Sequence, residues 1–265
     1  MRGGRPLKRW RYVGVFCEQL MACAAHVQIG PAHQCFWALH LRAPTDGPGA
    51  ATELRERTHM LRRRGRVDLS EGRVRVNDAG VALELRLEEE PGIEALCPHG
   101  RQQVWTRKQA GVRAQGALAL GGAPPSEIDA LAVIDDTVGH HARETEWRWS
   151  AGVGTGADGT SLAWNLVSGV NDPPSGSERA VWVDGSAHEC PPVRFRDDLQ
   201  AIACEDGSVL HFQPEAERAR RENLLLVSSD YRAPFGTFAG TLPGPEGPLV
   251  LAAGLGVVEH HRARW

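Results

Sequence analysis

The sequence predicts an all-β protein made of two antiparallel barrel- or sandwich-like halves with very little helix. Two observations carry this. Apolar and polar residues alternate with period two along most of the chain, as in strands with one buried face. Turn-forming pairs, among them Asp158-Gly159, Asp184-Gly185 and Asp206-Gly207, separate these runs. Many short strands divided by regular turns build sandwiches or barrels.

From the N-terminus, strands are expected at Trp10–Phe16, Ala22–Ile29 and Gln34–Arg42. Val74 and Val76, then Val81, Leu83, Leu85 and Leu87, alternate on both sides of Asn77-Asp78-Ala79-Gly80. That pattern reads as a hairpin. Gln102–Lys108, Ala117–Leu120 and Ile128–Ile134 follow. The second half adds Thr145–Val153, Ser161–Val170, Ala180–Val183, Pro192–Arg196, Leu199–Cys204, Val209–Gln213, Leu224–Ser228, Gly236–Thr241 and Leu249–His261. Only Pro214–Asn223 reads as a helical turn, with proline at a permitted start before glutamate, alanine and arginine. The stretch Gly121 to Ser126 divides the strands into two sets, giving expected halves at 1–122 and 127–265. No sequence repeat relates them. Arg55 to Arg66 carries six arginines without interleaved aromatic residues. It reads as a solvated loop or a guarded edge strand rather than a phosphate site.

Composition narrows the function. The chain has 265 residues, 42% hydrophobic and 24% charged, with a net charge of −3. That balance excludes wholesale disorder and offers no basic surplus for nucleic acid. No apolar run is long enough for a spanning helix, and no secretory leader follows Met1, so a cytoplasmic protein is expected. The six cysteines form no Cys-x-x-Cys pair and read as buried thiols. Arginine supplies 28 of the 30 cations, leaving only Lys8 and Lys108. This reads as genomic base composition rather than mechanism. Walker, Gly-x-Ser-x-Gly and His-Glu-x-x-His motifs are absent, and Gly152 to Gly156 lies between strands. No cofactor and no bound metal are expected.

The second half is dense in motifs. They are Asp135-Asp136-Thr137-Val138-Gly139-His140-His141-Ala142-Arg143, Trp147-Arg148-Trp149-Ser150-Ala151-Gly152-Val153-Gly154 and Ala163-Trp164-Asn165-Leu166-Val167. Gly169-Val170-Asn171-Asp172-Pro173-Pro174, Ser177-Glu178-Arg179, Ser229-Asp230-Tyr231-Arg232-Ala233-Pro234-Phe235-Gly236 and Gly256-Val257-Val258-Glu259-His260-His261 follow. With Leu7-Lys8-Arg9-Trp10-Arg11-Tyr12 at the start, they resemble an uncharacterised bacterial family catalogued as domain of unknown function 2804. The first shared motif stands close to Met1, and the resemblance leads one to expect that the N-terminal segment members usually carry is lacking here. The family pattern has tyrosine at His140, arginine at His260 and an acidic residue at Arg262, whereas His141, Glu259 and His261 match. More distantly the chain is similar to the lipocalin-like (calycin) group of carotenoid hydratases and tocopherol cyclase. That resemblance implies two lipocalin-like halves but no established activity.

Strand parity puts Glu259 and His261 on the same face as Val257 and Ala263, toward an interior. There they form either an acid–base pair or a buried ion pair pinning the last strand. Thr145, Trp147 and Trp149 share a face that fits either a pocket wall or plain core. Asp135-Asp136 ends an apolar run, as a desolvated acid or as a turn cap. Glu178 with Arg179, and Glu215 with Arg218, read as ion pairs.

The candidate catalytic residues are therefore Asp136, Glu259, His261 and His141. Trp147, Trp149, Trp164, Asn165 and Tyr231 are the candidate ligand-binding residues. The expected ligand is an apolar small molecule, isoprenoid or lipid-like. The chain is then a cofactor-free hydratase, cyclase or isomerase in which Asp136 is the acid, or else a non-catalytic carrier. An apolar pocket with two or more carboxylates at its wall favours the enzyme.

Overall fold

The computed structural model describes residues 5–42, 53–60, 66–224 and 227–264. Among them there is no helix, hence none long and apolar enough to cross a membrane. The first antiparallel sheet comprises β1 (Lys8–Cys17), β2 (Leu20–Ile29), β3 (Ala32–Leu41), β4 (Glu53–Met60), β5 (Val67–Ser70), β6 (Arg73–Asp78), β7 (Val81–Leu87), β8 (Ile93–His99), β9 (Gln102–Leu120) and β10 (Ser126–Gly139). Its order is β4-β3-β2-β1-β10-β9-β7-β6-β5, with β8 paired to β9.

The second sheet comprises β11 (Glu144–Gly156), β12 (Ser161–Ser168), β13 (Ala180–Val183), β14 (Ser186–Glu189), β15 (Val193–Phe195), β16 (Ala201–Cys204), β17 (Val209–Leu224), β18 (Val227–Leu242) and β19 (Leu249–Arg264). Its order, β14-β13-β12-β11-β19-β18-β17-β16-β15, repeats the winding of the first sheet with one strand fewer. The repeat lies in topology and not in residue identity, which is why the sequence hides it. The 121–125 stretch is the turn from β9 to β10 within the first sheet. The chain passes to the second sheet through residues 140–143.

Period-two patterning gives each sheet two apolar faces and the molecule three cores. One core fills the first half, from Val13 and Leu39 to Leu85 and Ile134. Another fills the second half around Trp164, Ile202 and Phe238. The third joins the sheets, packing Phe16, Met21 and Val133 against Trp149, Phe235 and Val257. The described residues include six cysteines, all unpaired thiols and four of them buried.

Two local readings change. Pro214–Asn223 is part of β17, because nine register partners on β18 outweigh its helix-favouring composition. Beyond its short pairing with β16 the strand is an edge, and the alternating charges guard it. Glu215 consequently accepts from Arg42 at 2.9 Å, and Arg218 donates to Glu56 at 2.8 Å, so both ion pairs tie β17 to the first half. Arg55–Arg66 supplies the edge strand β4 over its described part; residues 61–65 lie outside the described residues.

Candidate functional site

The register of β1, β9 and β10 decides which side chains enter the space between the sheets. Lys8, Trp10 and Tyr12 alternate onto one face of β1. Tyr12 sits opposite Asp135, and Asp135 sits opposite Lys108. All of these therefore point the same way, while Arg11, Asp136 and Arg107 form the matching row on the other face. From the second sheet, Trp147 pairs with His261 and Trp149 with Glu259, so these four also share a face. The two faces meet around a cavity of ≈ 160 Å³ between the halves. A cavity of about 150 Å³ accepts a benzene ring, so this space suits one ring or a short branched chain.

The walls are mostly apolar: Ala25, Val27, Ile29, Phe36, Val167 and Val170, with Trp10, Tyr12, Trp147 and Trp149. Into them project the carboxylates of Asp135, Glu178 and Glu259, the amines of Lys8 and Lys108, and the imidazoles of His141 and His261. Lys108, 2% exposed, contacts Asp135 at 2.6 Å and Glu178 at 3.4 Å. Burial acts to lower the Lys108 pKa, but the two carboxylates outweigh it and hold the amine above its ordinary value. One ammonium between two carboxylates leaves a surplus negative charge. Asp135 accepts from Trp10 Nε1 at 3.0 Å, Thr137 Oγ1 at 2.9 Å and Lys108, so that oxygen pair is well supplied with donors. Glu178, 3% exposed, accepts from Asn171 Nδ2 at 3.0 Å. Burial pushes its pKa up, against the pull of Lys108 and with the repulsion of Asp135. Burial therefore favours the protonated form of Glu178 relative to an exposed glutamate.

Asn171 holds this corner through backbone as well as side chain. Its φ of 50° lies in the left-handed region, which asparagine tolerates in a turn such as Asn171-Asp172-Pro173-Pro174. Its Oδ1 meets His99 Nε2 at 3.0 Å. His141 packs its ring 4.9 Å from Trp10 and 5.0 Å from His99. Burial, aided by Lys8, pushes His141 down to about 3, leaving a neutral imidazole. Neither ring nitrogen has a hydrogen-bond partner of good geometry among the described residues. Across the cavity, Trp147 Nε1 donates to Glu259 Oε1 at 2.8 Å. His261 Nδ1 is 3.7 Å from the same oxygen, and its Nε2 meets Ser229 Oγ at 2.9 Å.

The expected site residues divide accordingly. Glu259, His261, His141, Trp147 and Trp149 share the cavity. Asp136 does not: it sits mid-strand, on the opposite face from Asp135, and accepts from Arg11 at 2.7 Å and Arg107 at 2.9 Å beside a separate polar cleft. It is also no turn cap, because β10 continues to Gly139. Trp164 has the opposite parity from Trp149. It is buried in the second core, where its ring covers Gly152 so closely that a Cβ there would lie 2.4 Å from Cζ2. Asn165 stands behind the wall, accepting from Trp149 Nε1 at 2.8 Å and donating to the Glu178 carbonyl at 2.7 Å. Tyr231 stacks 5.7 Å from His261 and accepts from Arg218 at 2.9 Å.

Sequence reasoning missed Lys8, Lys108 and Glu178 as site residues, and of the pair Asp135-Asp136 it took Asp136 rather than Asp135. The sequence pairs Glu178 with Arg179, but Arg179 is buried elsewhere and donates to the carbonyls of Cys190 and Pro173. The rarity of lysine was the one available signal for two of the four.

A family model described as Domain of unknown function (DUF2804) matches residues 52–265. No curated protein matches the sequence. Among solved structures, kievitone hydratase from Nectria haematococca aligns with a TM-score of 0.59 at 12% identity, covering 96% of this chain and 88% of that one. A candidate AttH from Nitrosomonas europaea aligns with a TM-score of 0.55 at 13% identity, covering 98% and 93%. CghA aligns with a TM-score of 0.50 at 9% identity, covering 98% and 88%. At such identities the likeness shows the fold alone, a two-half lipocalin-like arrangement. The chain belongs to the DUF2804 family, a domain of unknown function.

Proposed function

We propose that the protein binds an apolar small molecule in the inter-sheet cavity and performs cofactor-free proton chemistry on it, as a hydratase, cyclase or isomerase. The observation that carries this is three carboxylates converging on an otherwise apolar wall, one of them, Glu178, with its pKa pushed up by burial. Glu178 takes the general-acid role expected of Asp136, because Asp136 faces away and is already held by two arginines. Its proton goes to a carbon–carbon double bond. The π faces of Trp10, Trp147 and Trp149 then shield the developing cation. In hydration, water adds to the cationic carbon and releases its proton toward Glu259 and His261; in isomerisation the same pair takes the proton from the neighbouring carbon. Kievitone hydratase bears its activity in its name and shares the architecture, which is support by analogy. The partner is thus a small molecule and not a nucleic acid. The cytoplasm is the compartment we assign, on the thiol state of all six cysteines.

Deuterium uptake tests the reading. Geraniol, limonene and cinnamyl alcohol are incubated in heavy water with wild type and Glu178→Gln, and tryptophan fluorescence follows binding. Wild type is expected to place deuterium on carbon in at least one of them, and the variant to bind it without exchange. Binding without exchange in wild type would leave a carrier. No binding would remove the reading altogether.

A further inference from the structure

Lys8 and Lys108 are the only lysines of the chain, and the other 28 cationic side chains are arginine. Both lysines line the same cavity, at 3% and 2% exposure. A guanidinium keeps its charge at any accessible pH, whereas an amine gives up its proton when desolvated. The chain therefore departs from arginine at two positions that face one ligand space. Base composition explains the arginines but not where the two exceptions stand.

The two amines are not equivalent. Lys108 is clasped by Asp135 and Glu178, which keep it an ammonium ion. Lys8 lies on the same face as Trp10 and Tyr12 and opposite Ile29 and Gly139 in the register. Burial lowers its pKa to about 7, so a large share of it is neutral amine near physiological pH. A neutral amine in an apolar wall is a nucleophile toward carbonyl carbon.

We propose that Lys8 captures carbonyl ligands, forming an imine with an apolar aldehyde or ketone held in the inter-sheet cavity. The nitrogen lone pair attacks the carbonyl carbon, a C–N bond forms, and the π electrons move to oxygen, which takes up a proton. That proton and a second one both come from the nitrogen, so water leaves as the C–O bond breaks and the nitrogen lone pair completes the C=N bond. No oxidant or reductant is consumed. The inference rests on the cavity as a binding place but not on proton transfer from Glu178.

Reductive trapping tests it. The intact protein is incubated with cinnamaldehyde and sodium cyanoborohydride, and adducts are located by peptide mass spectrometry. Labelling of Lys8 is expected to exceed that of Lys108 at least about tenfold, since each unit of pKa lowering raises the neutral fraction of an amine about tenfold. In urea both lysines should label alike. Lys8→Arg should lose the adduct. Equal labelling of both lysines in the folded protein, or no adduct on Lys8, would overturn the proposal. Cinnamyl alcohol, which lacks the carbonyl, is the parallel arm. If it quenches tryptophan fluorescence while Lys8 stays unlabelled, only the imine falls. If it fails to bind and Lys8 stays unlabelled, the cavity reading falls and the imine falls with it.

Discussion

Replacing Lys8 by methionine keeps the length of the side chain and removes its charge. In the folded protein Lys8 gives up its proton near pH 7, and in the unfolded chain near the ordinary 10.5. Between those values the unfolded state holds one proton more than the folded state. Wild-type stability therefore rises with pH through this window, by up to about 1.4 kcal/mol per pH unit. The variant lacks that contribution. The stability of wild type minus that of Lys8→Met should thus climb steadily with pH, accumulating to about 5 kcal/mol across the whole window. Urea denaturation of both proteins at several pH values measures it; groups that do not feel Lys8 cancel in the difference, and His141 and His99, which do, are pushed below the ordinary histidine value and so titrate below the window. Lys108→Met is the internal control. Its amine is held above the ordinary value by Asp135 and Glu178, so its stability is fully present below that value and is lost only as pH rises beyond it. Its difference curve should be flat where that of Lys8 rises. A flat curve for Lys8→Met would refute the reasoning that burial lowers the pKa of this amine.

Further outcomes follow from the same geometry. Asp136→Asn leaves Arg11 and Arg107 with Glu89 as their remaining carboxylate partner, and should cost about 1–3 kcal/mol in urea denaturation while cinnamyl alcohol binding is unchanged. Trp164→Ala empties a fully buried site in the second core and should cost about 3–5 kcal/mol, again without altering binding. Trp149→Phe removes the donor that anchors Asn165 behind Glu178, and should cost about 1 kcal/mol and weaken binding of the same probe, read by titration calorimetry.

Strand parity carried most of what the sequence disclosed. It put Glu259 with His261 and Trp147 with Trp149 on common inward faces, and the register bears this out. It was not applied to Asp135-Asp136, because an apolar run ending in two aspartates and a glycine looked like a turn, whereas β10 runs on to Gly139. Extending the alternation from Ala132 and Ile134 to Asp136 would have put that carboxylate beside the first core, away from Trp149. Glu178 was beyond parity altogether. It lies in the irregular segment between β12 and β13, and only the fold brings Lys108 from β9 to meet it. Pro214–Asn223 misled for the opposite reason: local helix preference was plain, and the pairing that overrides it comes from a strand that follows in sequence. The strands were legible singly, but the passage between sheets at residues 140–143 and the shared winding exist only in the order of pairing.

The central claim is that Glu178 holds a proton at the wall of an apolar cavity. Difference infrared spectroscopy of wild type against Glu178→Gln at neutral pH addresses it directly. The account predicts the carbonyl stretch of a protonated carboxyl group in wild type and its loss in the variant. A difference spectrum containing only the bands of an ionised carboxylate would contradict the account.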